Sequence, residues 1–379
     1  MKKSCDMIKR NEDFCMKKIM LVFGTRPEAI KMCPLVSELK RCGHFEVIVA
    51  VTGQHRELLD AVLRVFDITP DYDLAVMKEG QTLFDVTSAV LCGMERVLEK
   101  ASPDLVLVHG DTTTAFAAAL AAYYKKIPVG HVEAGLRTGD LYAPYPEEFN
   151  RLAIGNLAAF HFSPTEDARA NLLNEGKAPE TVYVTGNTAI DALKTTVRAE
   201  YTHPLLEICG KRRLILLTAH RRENVGAPME RIFSAVKTFA AAHEDVFFVY
   251  PVHPSPAVRK TAYAMLSSLP NVALTEPLSV VDFHNFMARA TLVLTDSGGA
   301  QEEAPFFGVP VLVMRETTER PEGIRAGTAM LVGTEETKIL QTLEALLSDA
   351  ALYRRMATAK NPYGDGFAAQ KICEILVKN

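Results

Sequence analysis

TLVLTDSGGAQEEAPFFGVP, residues Thr291 to Pro310, decides how this chain is read. It opens with an apolar run, Thr291 to Thr295, of the kind that forms a buried strand, and turns through Asp296, Ser297, Gly298 and Gly299 into a segment with helical spacing. A strand, a glycine turn and a helix in succession can hold an anion, because glycine lets the backbone approach a ligand and the first free N–H groups of the helix point outward. Turns of this kind also serve as plain tight connections, so the turn by itself leaves both readings open. Glu302 and Glu303 in the first helical turns favour a ligand, with Glu303 able to reach over the turn to a hydroxylated group.

Outward from that stretch the pattern repeats. Apolar runs at Lys18–Gly24, Phe45–Thr52, Asp104–His109, Ile127–Glu133, Ala159–Ser163 and Thr181–Thr185 alternate with helical segments at Pro27–Lys40, Gln54–Phe66, Gln81–Lys100, Thr112–Lys125 and from Glu147. A second series follows at Arg213–Thr218, Val246–Tyr250, Val272–Leu274, Leu292–Thr295, Val309–Met314 and Met330–Val332. Short apolar strands alternating with helices predict parallel sheets covered on both faces. The expected fold is therefore α/β: two Rossmann-like doubly wound domains with a cleft between them. The polar stretch 194–211 reads as the linker. We expect residues 1–16 to be a flexible extension, 17–195 the first domain, 196–365 the second, and a last helix in 366–379 that packs back on the first domain.

Composition narrows the function. The chain has 379 residues, 48% of them hydrophobic and 23% charged, which suits two soluble domains. A net charge of −4 gives no reason to expect nucleic acid or an anionic membrane as a partner. No apolar run approaches the ~20 residues of a membrane span. The seven cysteines are scattered and lack CxxC spacing, as in a reduced cytoplasmic protein without disulfides or structural zinc.

The unusual polar clusters all follow strands, where loops carry function. In the first half they are Gly24–Glu28 with Lys31, HGDTTT at 109–114, HVEAGLR at 131–137, and Pro146–Glu148 with Arg151. In the second they are His220–Asn224, His253, Ser297–Glu303 and Arg315–Arg325. Arg26 and Lys31 after the first strand suit an anion, Arg with its planar fork of donors. Asp111 reads equally as a helix cap or as a site carboxylate. His131 and Glu133 have metal-like spacing, but no third ligand completes a site, and no metal is expected. Arg221 and Arg222 repel each other unless an anion or a carboxylate is near, and Glu223 is the adjacent carboxylate. The first strand ends without a GxGxxG turn and no GxxxxGK[ST] loop occurs, which argues against a dinucleotide cofactor and a P-loop. Arginines, two histidines and three carboxylates in one cleft suit a diphosphate leaving group on one side and proton transfer on the other.

On FGTRPEAIKMCPL, HGDTTTAFAAALAA, HVEAGLRTGD, PEEFNRL, TGNTAIDAL, AHRREN, TDSGGAQEEAPFFGVPVLVMR and TTERPE, the chain resembles the non-hydrolysing UDP-N-acetylglucosamine 2-epimerases from about Lys18 to Gly333. The resemblance implies the two-domain arrangement of GT-B glycosyltransferases, no cofactor, and reversible inversion at C2 of UDP-GlcNAc to UDP-ManNAc. The route it implies is elimination of UDP to a 2-acetamidoglucal and re-addition. It further implies catalytic roles for Asp111, Glu133, Glu147 and His220. Substrate contacts would come from Arg26, Lys31, Arg151, Phe283, Ser297, Gly298, Gly299, Glu303 and Arg320, with Glu303 on the ribose. UDP-GlcNAc, UDP-ManNAc and UDP are the implied ligands, a homodimer is the family's habit, and polysaccharide biosynthesis is the implied setting. Relatives also bind UDP-GlcNAc as an activator, here through Gln54, His55, Gln81 and His253. The arginine that precedes this glutamine in relatives is Gly80 here, so an anion-binding fork is missing and the need for an activator is weakened. Two other readings remain: a glycosyltransferase of the same architecture, and the hydrolysing branch that releases ManNAc and UDP.

Overall fold

Thirteen parallel strands form two sheets in the structure, a computed structural model that describes residues 16–53, 56–76, 78 and 80–379. The first sheet contains β1 (Lys17–Phe23), β2 (Phe45–Val51), β3 (Tyr72–Asp73), β4 (Leu105–His109), β5 (Val129–Val132), β6 (Phe160–Ser163) and β7 (Val182–Val184), in the order β3-β2-β1-β4-β5-β6-β7. The second contains β8 (Arg213–Thr218), β9 (Val246–Pro251), β10 (Val272–Thr275), β11 (Leu292–Thr295), β12 (Val311–Val313) and β13 (Ala329–Leu331), in the order β10-β9-β8-β11-β12-β13. Both orders reverse beside their first strand, between β1 and β4 and between β8 and β11. Ligands bind at such switch points, outside the carboxyl ends of the strands.

The unbroken apolar runs have a direct cause. Along β1, Ile19, Leu21 and Phe23 enter one core cluster while Met20 and Val22 enter another on the opposite face. Along β8, Ile215 and Leu217 face one cluster, and Leu214 and Leu216 the other. Both faces of each sheet are covered, so alternation with polar residues is lost. Central register is set on both sides of β1, where Val22 lies opposite Ala50 and Val108.

The helix Arg26–Cys42 starts as the sequence predicts, with Thr25 as N-cap, a reciprocal bond from Glu28 and Pro27 in its first turn. Other boundaries move. The third helix begins at Leu83, capped by Thr82, while the expected start of the second at Gln54 lies outside the described residues, which show it from Arg56. The expected linker contains the end of the helix Thr188–Thr196 and a short helix Pro204–Cys209. Residues 1–15 of the expected extension lie outside the described residues. The last helix, Ala368–Lys378, returns to the first sheet's layer, where Ile372 and Leu376 join Leu35 and Val36 in one cluster. Asp191 accepts from its first N–H groups, Ala368 at 3.1 Å and Ala369 at 3.0 Å. Among the described residues no helix is long and apolar enough to cross a membrane.

Gly135 ends the HVEAG turn with φ +93°, and a Cβ there would stand 2.1 Å from the Ala168 carbonyl oxygen. Gly139, at φ +82°, has nothing within 4 Å of its Cβ position. Gly135→Ala is therefore expected to lower the unfolding free energy in urea by ~3 kcal/mol and Gly139→Ala by ~1 kcal/mol, since only the first adds a clash to left-handed strain. Equal losses would show that backbone strain alone decides.

Candidate active site

In the first half the site is built on the exits of β1, β4, β5 and the helix Glu147–Leu157. Glu28 is buried and accepts from the backbone N–H groups of Gly24 (3.0 Å) and Thr25 (2.8 Å) and from the Thr112 hydroxyl (2.7 Å). Burial raises its carboxyl, and these bonds oppose the shift. Its effect is to fasten the β1 loop to the β4 loop. The Arg26 guanidinium reaches across to the Leu278 carbonyl at 3.2 Å, and Glu303 lies near enough to oppose the burial that weakens its charge.

Lys31, one helical turn on, forms an ion pair with Glu133. His109 Nε2 stands 3.7 Å from the same carboxylate, and burial pulls that imidazole down to about 4, so His109 is neutral near pH 7. Glu133 itself has left-handed backbone, φ +62°, as the chain turns out of β5. Burial works against its charge, yet Lys31, His109 and Arg320 outweigh that and hold its carboxyl far below the usual carboxylate range. Asp111 is driven the other way. Burial raises its carboxyl, Glu133 and Glu147 add to this, and Arg151, 3.4 Å away, and Lys31 oppose it. Arg151 also pairs with Glu148 at 3.2 Å. Glu147 Oε2 is buried without a hydrogen-bond partner among the described residues. His131 Nε2 lies 2.7 Å from the Gly110 carbonyl inside the core.

In the second half Asp296 does for β8 and β11 what Glu28 does for β1 and β4. Its buried carboxylate accepts from the backbone N–H groups of His220 (2.8 Å) and Arg221 (2.9 Å) and from Asn224 (3.1 Å). Asp296 Oδ1 also lies 3.2 Å from His220 Nδ1, close enough to attract the imidazole's charged form, and makes no hydrogen bond among the described residues. Burial lowers the His220 imidazole, with Asp296 opposing. His253 stacks on His220 with ring centres 5.6 Å apart.

Ser297 caps the helix Gly298–Glu303 without a side-chain capping bond. A Cβ on Gly298 would lie 3.6 Å from an Arg221 guanidinium nitrogen and 3.7 Å from one of Arg320, so two cations converge over this turn. Glu223, the expected partner of Arg221, instead pairs with Arg315 at 3.0 Å, while Arg221 pairs with Glu319 at 3.5 Å. Glu303 lies 3.6 Å from buried His284 Nε2, beside Phe283 on the helix Val280–Arg289.

The residues expected to hold an activator are only in part described. Gln54 and His55 lie outside the described residues. Gln81 holds its own loop, donating to the Val76 carbonyl at 2.6 Å and accepting from Lys78 at 2.9 Å. His253 belongs with His220. Asn187, Asp296 and His109, given no role from the sequence, and Glu302, read there only as a sign of a ligand, stand among these groups. Glu302 and Asn187 are joined at 2.7 Å, and Glu302 also pairs with Arg320. Glu302 and Glu303 close the helix Gly298–Glu303, and adjacent helical positions face different sides of it.

The two arginines over the Gly298 turn thus share the cleft with two carboxylates of opposed proton affinity. A sequence profile described as UDP-N-acetylglucosamine 2-epimerase matches residues 37–377. The UDP-N-acetylglucosamine 2-epimerase of Bacillus subtilis is 56% identical over 360 residues, 95% of each chain. The solved UDP-GlcNAc 2-epimerase of Neisseria meningitidis, bound to UDP-GlcNAc, superposes with a TM-score of 0.88 at 47% identity, covering 96% of this chain and 100% of that one. The glycotransferase of kitacinnamycin, 13% identical with a TM-score of 0.65 over 96% of this chain and 98% of that one, shares the fold alone. Because Asp296 serves three donors, Asp296→Ala is expected to lower the unfolding free energy by ~3 kcal/mol in urea. A loss under ~1 kcal/mol would mean that water replaces the carboxylate.

Proposed function

The chain belongs to the UDP-N-acetylglucosamine 2-epimerase family, and from that membership we propose that its cleft interconverts UDP-GlcNAc and UDP-ManNAc by eliminating and re-adding UDP. The observation that carries this reading is the divergence of Asp111 and Glu133, two carboxyls of one cleft, the first partly exposed and the second enclosed, whose surroundings push their proton affinities apart. Such divergence separates an acid from a base. The C2 proton is not adjacent to a carbonyl and is barely acidic, so elimination depends on stabilising the departing diphosphate. The Ser297–Gly299 turn beneath Arg221 and Arg320 supports that role, with His220 at the same edge. In the gluco-to-manno direction Glu133, held ionised, takes the C2 proton, and Asp111, which keeps a proton more readily, delivers one to the opposite face. Glu147 and Arg151 flank Asp111. Glu303 takes the ribose hydroxyls, Phe283 packs against the base, and Arg26 closes over both from the first half. No cofactor takes part in this route.

The partner we propose is a second copy of this chain in the cytoplasm. Phe84, Tyr123, Tyr124 and Phe149 support it, since they expose large apolar side chains on neighbouring helices of the first half. Light scattering is expected to give twice the chain mass, and a monomer at micromolar concentration would remove this assembly.

Incubation with UDP-GlcNAc in deuterated water tests the reaction. UDP-ManNAc with deuterium at C2 is expected, and Asp111→Asn and Glu133→Gln should each lower turnover ~10²-fold or more. Unlabelled UDP-GlcNAc as the only sugar nucleotide recovered would sink the reading. Free ManNAc and UDP as main products would place the chain in the hydrolysing branch.

A further inference from the structure

Asn187 leaves β7 and caps the helix Thr188–Thr196, its Oδ1 accepting from Ala189 N–H at 2.9 Å. That bond fixes which end of the amide is oxygen, because a flipped amide would set two donors against each other. The NH₂ end is thereby committed, donating to Glu133 Oε2 at 2.8 Å and to Glu302 Oε2 at 2.7 Å. Glu302 accepts from Arg320 Nε through its other oxygen, and its main-chain carbonyl is held by Asn361 at 2.9 Å. Asn187 and Glu302 are 3% and 2% exposed, so water competes little for these bonds.

The result is an alternating row, Lys31, Glu133, Asn187, Glu302, Arg320, that starts among the proton-transfer groups and ends over the Gly298 turn. Two carboxylates sharing one amide repel each other, and each is compensated by its own cation at the far end. This is more than a cap requires. A serine or threonine in place of Asn187 would satisfy Ala189 N–H equally well.

We propose that Asn187 and Glu302 are positioning residues that tie Glu133 to Arg320 across the cleft, so that charge on a diphosphate at the Gly298 turn governs the proton uptake of Glu133. The argument rests on the roles given above to Glu133 and to that turn. Arg320 divides its charge between Glu302 and the diphosphate. As the C1–O bond breaks, negative charge grows on the leaving oxygen and draws more of Arg320 to itself. Glu302 is then less compensated and takes a larger share of the Asn187 amide, and Glu133 becomes the stronger base as UDP departs. The C2 proton moves to Glu133 and the C–H electron pair forms the double bond. The electrons of the C1–O bond leave with UDP.

The pH profile of kcat tests the tether. Glu133 is faced by Lys31, His109, Arg320, Asp111 and Glu302, and it works in its ionised form. Removing the amide donor raises its proton affinity, so the acidic limb of the profile must move to higher pH. Asn187→Asp keeps the size and the capping oxygen, and Asn187→Ser keeps the cap alone. Both are expected to lower kcat ~10-fold or more with KM changed less than ~3-fold, and to shift that limb upward by about one unit. Adding Glu302→Gln to Asn187→Asp removes the repulsion between the introduced carboxylate and Glu302, and should restore kcat by ~5-fold. A fall in kcat with an unmoved limb, or strictly additive losses in the double variant, overturns the tether. Deuterium exchange at C2 by the unsubstituted protein keeps the two readings apart: with it, an unmoved limb refutes only the tether, and without it the reaction itself fails.

Discussion

Each switch point is held by one buried carboxylate that accepts backbone N–H groups from the loop where a ligand would sit. Glu28 gathers Gly24, Thr25 and Thr112, and Asp296 gathers His220, Arg221 and Asn224. Parallel strands end with their loops splayed apart, and nothing in the sheet hydrogen bonding fixes those loops relative to each other. A buried anion does so, because each donor left without it would be unsatisfied in a site that water reaches poorly. The two halves solve the same problem with different residues in different positions, Glu28 inside the helix that follows β1 and Asp296 at the end of β11.

On that fixed edge the charges can be arranged for opposite purposes. Cations gather in the second half, over Gly298, and the carboxyls proposed for proton transfer in the first. Neither half is complete, since Arg26 reaches the Leu278 carbonyl and Thr165 donates to Glu322 at 2.9 Å. Enclosure sharpens each effect. The burial that raises Asp111 also strengthens the hold of Lys31 on Glu133.

Much of this was legible in the chain. The apolar runs marked out both sheets, because strands covered on two faces need no polar positions, and Gly24-Thr25-Arg26-Pro27-Glu28 announced its own cap. β3 escaped notice since two residues carry no periodicity, and the helix Pro204–Cys209 was hidden in a stretch read as polar linker. The site was legible as a set of strand-end clusters. Its pairings were not, because they join residues far apart in sequence: Asn187 with Glu302, Arg221 with Glu319, His284 with Glu303. Proximity along the chain suggested Glu223 for Arg221, and tertiary contact overrode it.

The C-terminal helix, seated on the first sheet's layer after the chain has traversed the second, means that the backbone crosses between the halves twice. One crossing follows Thr196, where Asn285 holds Arg198 N–H at 3.0 Å; the other precedes Ala368, where Asp191 receives the returning helix. A body joined at one point can swing and twist in any direction. One hung at two points turns about the line through them, as a door does on a pair of hinges, and its free edge meets the frame at the same place each time it shuts.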